Sequence, residues 1–354
     1  MSARTHIKSS PLTLRYKHPF GISRWTHRCT LNILVRVECE GIVGQGEGAP
    51  NARYGDSQEL ALEELQQLED SLLELGDVQS ADALTEALEG ARGKFSSLSA
   101  AAALDMACHD WLAKRMGKSL CELWGWPLEP GPESAFTIGI DEPAVMARKV
   151  QEAEAYPLLK IKLGSEHDAE ILSAVRGVTR KPLWVDVNEG WPSAQEALTQ
   201  IEVLAELGVR LVEQPLAAGQ LDEMRWLKAR SPLQIFADED LQPGADVAQL
   251  AEGYDGVNIK LDKAGGLIPA KRMLEDARRA GLKVMVGCMI ASSLAITAAG
   301  HLALRADLAD LDGHLLLEED PFEGLELKSG RVILPGGPGI GAVLRGAPNL
   351  QPLP

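Results

Sequence analysis

From about Ser134 onward the chain repeats one pattern: a short β-branched run ending in a polar or acidic residue, then an amphipathic stretch of helical period. The run ends fall at Thr137, Lys162, Asp186, Glu213, Asp238, Lys260, Gly287 and Asp312, with 22 to 27 residues between successive ends. A strand, a helix and their two loops need about that much chain, a βαβ unit being ~30 residues or more. Eight such strands at one spacing predict an α/β fold, a parallel (β/α) barrel of the TIM type. A doubly wound sheet would normally carry a glycine-rich first turn. The one glycine-dense segment, PGGPGIG from Pro335, lies after the last unit and reads as a loop.

Two other zones precede the barrel. Up to about residue 57 the text alternates as strands do, and LNILVRVECE puts Leu31, Ile33, Val35 and Val37 on one face. Gly41, Gly44 and Gly46 then read as turn punctuation in an antiparallel meander. A helical zone follows to about Leu123. In it SSLSAAAALDMACHDWLAKRMG predicts a tightly packed helix, stopped at Gly117 after the basic Lys114 and Arg115. The expected organisation is an α+β domain over 1–125, a barrel over 126–320, and a Pro- and Gly-rich tail, 321–354, returning to the first zone.

Charge narrows the partners. The 354 residues carry Asp+Glu 51 against Lys+Arg 35, a formal net charge of -16, which argues against binding nucleic acid or an anionic membrane surface. The start, MSARTHIKSS, has no apolar signal region, and no apolar run approaches the ~18 residues of a membrane span, so a soluble, cytoplasmic protein is expected. Cys29, Cys39, Cys108, Cys121 and Cys288 are odd in number and scattered, which fits reduced thiols rather than a disulfide framework or a thiolate zinc site. No H-E-x-x-H occurs, so any metal should be held by oxygen ligands. Acidic barrels of this size commonly associate, which leaves a homo-oligomer open.

The strand ends of such a barrel face one mouth, where active sites are built. LKIKLG brings Lys160 and Lys162, two apart and therefore on the same side of the strand. WVDVNEGW brings Asp186 and Asn188, LVEQP brings Glu213, IFADED brings Asp238, and VNIKLDKAGG brings Lys260. Three carboxylates on consecutive strands cannot all ionise cheaply without a cation between them. Mg²⁺ suits a few carboxylates with positions left for substrate and water. Lys160 penalises a second ammonium beside it, which makes Lys162 the candidate base. Lys260 comes from across the barrel axis and could address the other face of a substrate. Two bases about one cation fit proton removal next to a carboxylate through an enediolate, and a proton returned from the far side inverts the carbon.

The strings KIKLG, DVNEGW, VEQP, ADED and NIKLDKAGGL, in this order and over nearly the whole chain, resemble the enolase superfamily in its muconate-lactonizing-enzyme-like branch. That superfamily pairs a Lys or His base with Mg²⁺. The resemblance implies a modified (β/α) TIM-type barrel under an N-terminal α+β cap completed by the C-terminal tail. It also implies Asp186, Glu213 and Asp238 as ligands of one Mg²⁺ and Lys162 and Lys260 as acid/base pair, with Lys160 assisting. In ADLADLDGHLLL, Asp310 and Asp312 are expected on one strand face, and two carboxylates there suit a substrate ammonium. The D-L-D-G string resembles dipeptide epimerases, in which this pair holds the free amino terminus of a dipeptide. Within that subgroup FGISRWTH places Arg24 in a cap loop where a guanidinium could meet a side-chain carboxylate, and ARYGDS matches the second cap loop. Thr137, Cys288 and Ile290 match pocket-lining positions. Asp240 and Ala291-Ser292-Ser293 depart from the common pattern without removing a ligand or base. The expected function is a Mg²⁺-dependent dipeptide epimerase, acting on L-Ala-D/L-Glu from peptidoglycan turnover. The alternatives are o-succinylbenzoate synthase, N-acylamino acid racemase and muconate cycloisomerase.

Overall fold

The structure is a computed structural model and describes residues 4–68 and 73–346. Three antiparallel strands open the chain: β1 (His6–Ile22), β2 (Trp25–Cys39) and β3 (Ile42–Gly48), in spatial order β1-β2-β3. Helices α1 (Gln58–Gln67), α2 (Ala81–Arg92), α3 (Leu98–Arg115) and α4 (Leu120–Leu123) follow. Ser57, Ser80 and Ser97 cap the first three, each accepting a backbone N–H three residues on. Ile33, Val35 and Val37 are buried against these helices, as their alternation predicts, whereas Leu31 is 47% exposed. Its part of β2 overhangs the barrel mouth, where it lines a cavity instead of the core.

Gly44 and Gly46 are not turn residues. Both lie inside β3, where a Cβ would come within 2.0 Å of Ala107 O and 2.1 Å of Ala103 O respectively. Their bare backbone lets α3 sit directly on the strand, and the run of alanines on α3 is the complementary surface. Only Gly41 occupies a left-handed turn, at φ +72.

The second unit alternates strand and helix. Its strands are β4 (Phe136–Ile138), β5 (Leu159–Lys162), β6 (Leu183–Asp186), β7 (Val209–Glu213), β8 (Gln234–Ala237), β9 (Gly256–Lys260), β10 (Lys283–Gly287) and β11 (Leu308–Asp310). The helices between them are α5 (Pro143–Glu152), α6 (Asp168–Val178), α7 (Ala194–Glu206), α8 (Leu221–Lys228), α9 (Val247–Gly253), α10 (Leu261–Ala264), α11 (Leu267–Arg279) and α12 (Ser293–Ala303). Every strand is parallel to its neighbours in simple sequential order, and a parallel bridge from Ser134 to Ala309 joins the two edges. The sheet is thus a nearly closed eight-stranded barrel, not a doubly wound layer.

Residues two apart on each strand point inward and form layers. The lower layer is apolar, with Ala135, Leu158, Trp184, Leu211, Phe236 and Met285 in one buried cluster. Trp184 and Phe236 are fully buried, each contributing on the order of 1.5–3 kcal/mol by removal from water. The layer above carries the charged residues, so the barrel is plugged below its site and open above it.

After β11 the chain adds a strand pair, β12 (Phe322–Glu323) with β15 (Val343–Leu344), and a hairpin of β13 (Glu326–Lys328) with β14 (Arg331–Ile333). Between them Gly339 exchanges backbone hydrogen bonds with Lys118 and Leu120, and Ile340 N donates to Asp110 on α3. The end of the tail, residues 347–354, lies outside the described residues. Among the described residues none of the five cysteines forms a disulfide, Cys29 and Cys288 are only half-buried, and no helix is long and apolar enough to cross a membrane.

Candidate active site

The mouth of the barrel and the cap enclose a cavity of about 630 Å³. Arg24, Thr137, Lys162, Asp238, Lys260, Cys288, Ile290, Asp310 and Asp312 line it. Lys160, Asp186 and Glu213 lie beneath, at 1%, 0% and 0% exposure. Every candidate catalytic, substrate-contact or metal-ligand residue therefore belongs to this one cavity or its floor. A wider cleft of about 1420 Å³ runs outside β1 and the segment after β11, and holds none of them.

Asp186, Glu213 and Asp238 each offer a carboxylate oxygen within 4.8 Å of the others, and all three are buried. Lys162 Nζ stands 2.5 Å from Asp186 Oδ2 and 3.0 Å from Asn188 Oδ1. At the other end of the row Lys260 Nζ lies 2.7 Å from Asp238 Oδ2. The acids are thus bracketed by a lysine at each end. Asn258 Nδ2 holds Glu213 Oε1 at 2.9 Å, and Lys263 donates to Asp238 through both its carboxylate and its carbonyl.

Burial and charge pull these groups in different directions. Burial pushes the Glu213 carboxyl up to about 8, with Asp186 adding to the rise. Burial acts the same way on Asp186, but Lys160 and Lys162 overcome it and leave Asp186 below the usual carboxylate range. Lys260 and Lys263 do likewise for Asp238. Burial works against the Lys160 ammonium, yet Asp186, Asp310 and Glu213 hold its pKa well above the ordinary lysine value. Those three lie 3.0, 2.7 and 2.8 Å from Lys160 Nζ. Lys160 is thus not a bare charge acting on Lys162, because three carboxylates meet its ammonium.

The donor set suits a hard divalent cation: three converging carboxylates and no sulfur or imidazole ligand. Glu213 Oε2 is buried and, apart from its ion pair with Lys160 at 2.8 Å, receives no hydrogen bond, so its second lone pair is available to a cation.

On the opposite wall, β11 ends at Asp310, and Asp312 stands in the turn that follows rather than on the strand face. Both carboxylates still line the cavity. Thr137 holds Asp312 through its backbone N–H, at 2.5 Å, and its hydroxyl, at 3.2 Å. Burial, reinforced by Asp310, raises the Asp312 carboxyl to about 7. Asp310 Oδ2 takes Lys160, while the buried Asp310 Oδ1 has no donor. Cys288 Sγ donates to Asp310 O at 3.2 Å, and Ile290 O accepts from Asn32 Nδ2 at 3.2 Å.

Arg24 reaches the cavity from the β1–β2 turn but is not free there. It donates to Asn188 O at 2.8 Å, Glu189 Oε2 at 2.8 Å and Glu239 Oε1 at 3.0 Å. The departures at Asp240 and Ser292-Ser293 face away from the cavity. Asp240 accepts from Gln214 and Tyr254, Ser292 is bonded to Glu47, and Ser293 to Asp320. Gln214 Oε1 in turn accepts from the backbone N–H of Asp238, at 2.9 Å, and of Asp240, at 3.2 Å.

Several participants escape a sequence reading. Asn258 could have been found, because it lies two before Lys260 and so shares its inward face. Lys263 carries a weaker signal, one helical turn after Lys260. Glu189 and Arg53 stand within DVNEGW and ARYGDS, but their pairing carries no such signal, since they meet only through the tertiary fold.

Comparison with known proteins accords with this geometry. Residues 143–347 match the profile of the enolase C-terminal domain-like family, and residues 6–125 that of the mandelate racemase / muconate lactonizing enzyme N-terminal domain. The chain belongs to the mandelate racemase/muconate lactonizing enzyme group of the enolase superfamily. One relative in this superfamily, an L-Ala-D/L-Glu epimerase of Bacteroides thetaiotaomicron, is 37% identical over 94% of this chain and 86% of its own length. An L-Ala-D/L-amino acid epimerase of Pedosphaera parvula is 37% identical over 92% of this chain and 94% of its own. Among solved enolase-superfamily structures, the dipeptide epimerase of Enterococcus faecalis complexed with Mg and L-Leu-L-Tyr has 29% identity and a TM-score of 0.87. That match covers 97% of this chain and 99% of the other.

Proposed function

We propose that this chain is a Mg²⁺-dependent dipeptide epimerase that inverts the α-carbon of the C-terminal residue, with L-Ala-D/L-Glu from peptidoglycan turnover as its leading substrate. The observation that carries the reading is the buried carboxylate triad with a lysine at each end, facing a second acidic pair across one cavity. Asp186, Glu213 and Asp238 hold the cation. Bound there, Mg²⁺ supplies positive charge beside the substrate carboxylate and so makes the neighbouring α-proton more acidic. One of Lys162 and Lys260 then takes that proton, leaving an enediolate, and the other gives a different proton to the opposite face, which inverts the carbon. Lys160, already tied to Asp186, Glu213 and Asp310, keeps positive charge under the reacting carboxylate.

Asp310 and Asp312 receive the dipeptide's ammonium. A buried acceptor without a donor, Asp310 Oδ1, favours a cationic substrate end over the lyase alternatives, whose substrates carry no ammonium. A second reading, broad acceptance of L-Ala-D/L-amino acid dipeptides, is favoured by the pairing of Arg24 with Glu189 and Glu239, which leaves its charge already met. A dipeptide library incubated in D₂O with Mg²⁺ and read by mass tests the proposal. Deuterium at the α-carbon of the C-terminal residue supports it, and label confined to Ala-Glu fixes the first reading. No label in any dipeptide overturns both.

A further inference from the structure

Glu189 ties cap and barrel together over the cavity. Its carboxylate, only 9% exposed, takes Arg24 from the β1–β2 turn and Arg53 from the loop after β3. Arg53 grips it from two nitrogens, Nε at 2.9 Å and Nη2 at 2.8 Å, and Ala218 N adds a bond at 2.9 Å from the loop after β7. The backbone is bent to present it. Asn188 and Glu189 both adopt left-handed conformations, at φ 47 and 66, which side-chain-bearing residues rarely do. Arg24 lines the cavity, and its other terminal nitrogen, Nη2, donates to Glu239, so two carboxylates already pair with the guanidinium that faces the ligand space.

We infer that Glu189 is a positioning residue that determines selectivity: it shuts both cap loops over the cavity and competes with an acidic substrate side chain for Arg24. The inference rests on the proposed dipeptide epimerase reading and specifies how the second side chain is selected. An acidic side chain must compete with Glu189 and Glu239 for the Arg24 charge. A neutral one leaves the tie intact. Closure and charge selection are therefore coupled through one carboxylate.

Two readouts test this on the intact enzyme. In Glu189→Gln the charge is lost and the size kept. The ratio of kcat/KM for L-Ala-L-Glu to that for L-Ala-L-Leu should rise about tenfold, a ratio insensitive to loop opening that affects both substrates alike. Glu189→Asp, which retains the charge, should keep the wild-type ratio. Chymotrypsin should also cut after Trp25 and Tyr54, the neighbours of the two arginines, faster in Glu189→Gln than in wild type. Should Glu189→Gln not fold, Arg53→Gln breaks the two-nitrogen grip from the cap side and must accelerate cleavage after Tyr54. An unchanged substrate ratio in Glu189→Gln overturns the inference, as does cleavage at the wild-type rate in whichever variant folds. If no dipeptide is turned over at all, the functional reading falls and the cleavage rates alone decide whether Glu189 is the tie.

Discussion

Gly287 packs so closely on Asn258 that a Cβ there would lie 2.4 Å from Asn258 Oδ1. The same Asn258 amide holds Glu213 in place inside the barrel. Gly287→Ala should therefore displace Asn258 and unsettle Glu213, costing about 1–3 kcal/mol of stability by overpacking and weakening metal binding together. Thermal unfolding and Mn²⁺ titration by electron paramagnetic resonance measure the two. Loss of stability with unchanged Mn²⁺ affinity would detach Asn258 from the metal site.

Asp240 acts at one remove from the site. It accepts from Gln214, whose side-chain oxygen fixes the backbone of Asp238. Asp240→Ala is expected to weaken Mg²⁺ binding by roughly 10–100-fold, the usual cost of losing a partner that orients a metal ligand, while kcat at saturating Mg²⁺ changes little. Calorimetric titration combined with kinetics at several Mg²⁺ concentrations checks this. A fall in kcat at unchanged affinity would contradict it.

Asp312 predicts a pH dependence. Burial and Asp310 raise its carboxyl to about 7, so it is neutral below that pH and charged above it. An ammonium is held by the charged form. The kcat/KM profile should therefore rise through about pH 7 on its acidic side, because that profile reports the free enzyme. In Asp312→Asn the rise should vanish and KM should increase, whereas an unshifted acidic limb would assign it to another group.

Metal binding should stabilise the fold if the triad is the site. A ligand present at 100 times its dissociation constant adds about 2.7 kcal/mol. Mg²⁺ should raise the melting temperature of the wild type, EDTA should reverse the gain, and Asp238→Asn should abolish it. A Mg²⁺-dependent rise that survives in Asp238→Asn would place the ion elsewhere.

The barrel and its charged layer were legible because both follow from short-range rules. Lys162, Asp186, Glu213 and Lys260 stand at the last residues of their strands, where a period of two and a repeat near 25 residues locate them. Asp310 and Asp312 both face the cavity although the strand stops between them, because the turn after β11 brings Asp312 to it. Gly44 and Gly46 misled because glycine serves both a turn and a close approach, and only the position of α3 distinguishes these. Leu31 obeys the same alternation as Ile33 but sits beyond the end of the cap core. The tie through Glu189 joins residues 136 and 165 positions apart, and no local pattern carries such a pairing.

In the proposed mechanism Lys162 and Lys260 serve opposite faces of one α-carbon. Nuclear magnetic resonance in D₂O on Lys162→Ala and Lys260→Ala, each given L-Ala-L-Glu and L-Ala-D-Glu separately, measures whether they do. Both variants should lose epimerisation by at least about 10²-fold, the usual share of a positioned acid or base, and each should still exchange the α-proton of only one epimer, the two variants sparing opposite ones. Exchange of the same epimer by both variants, or epimerisation at the wild-type rate by either, would contradict the two-base account.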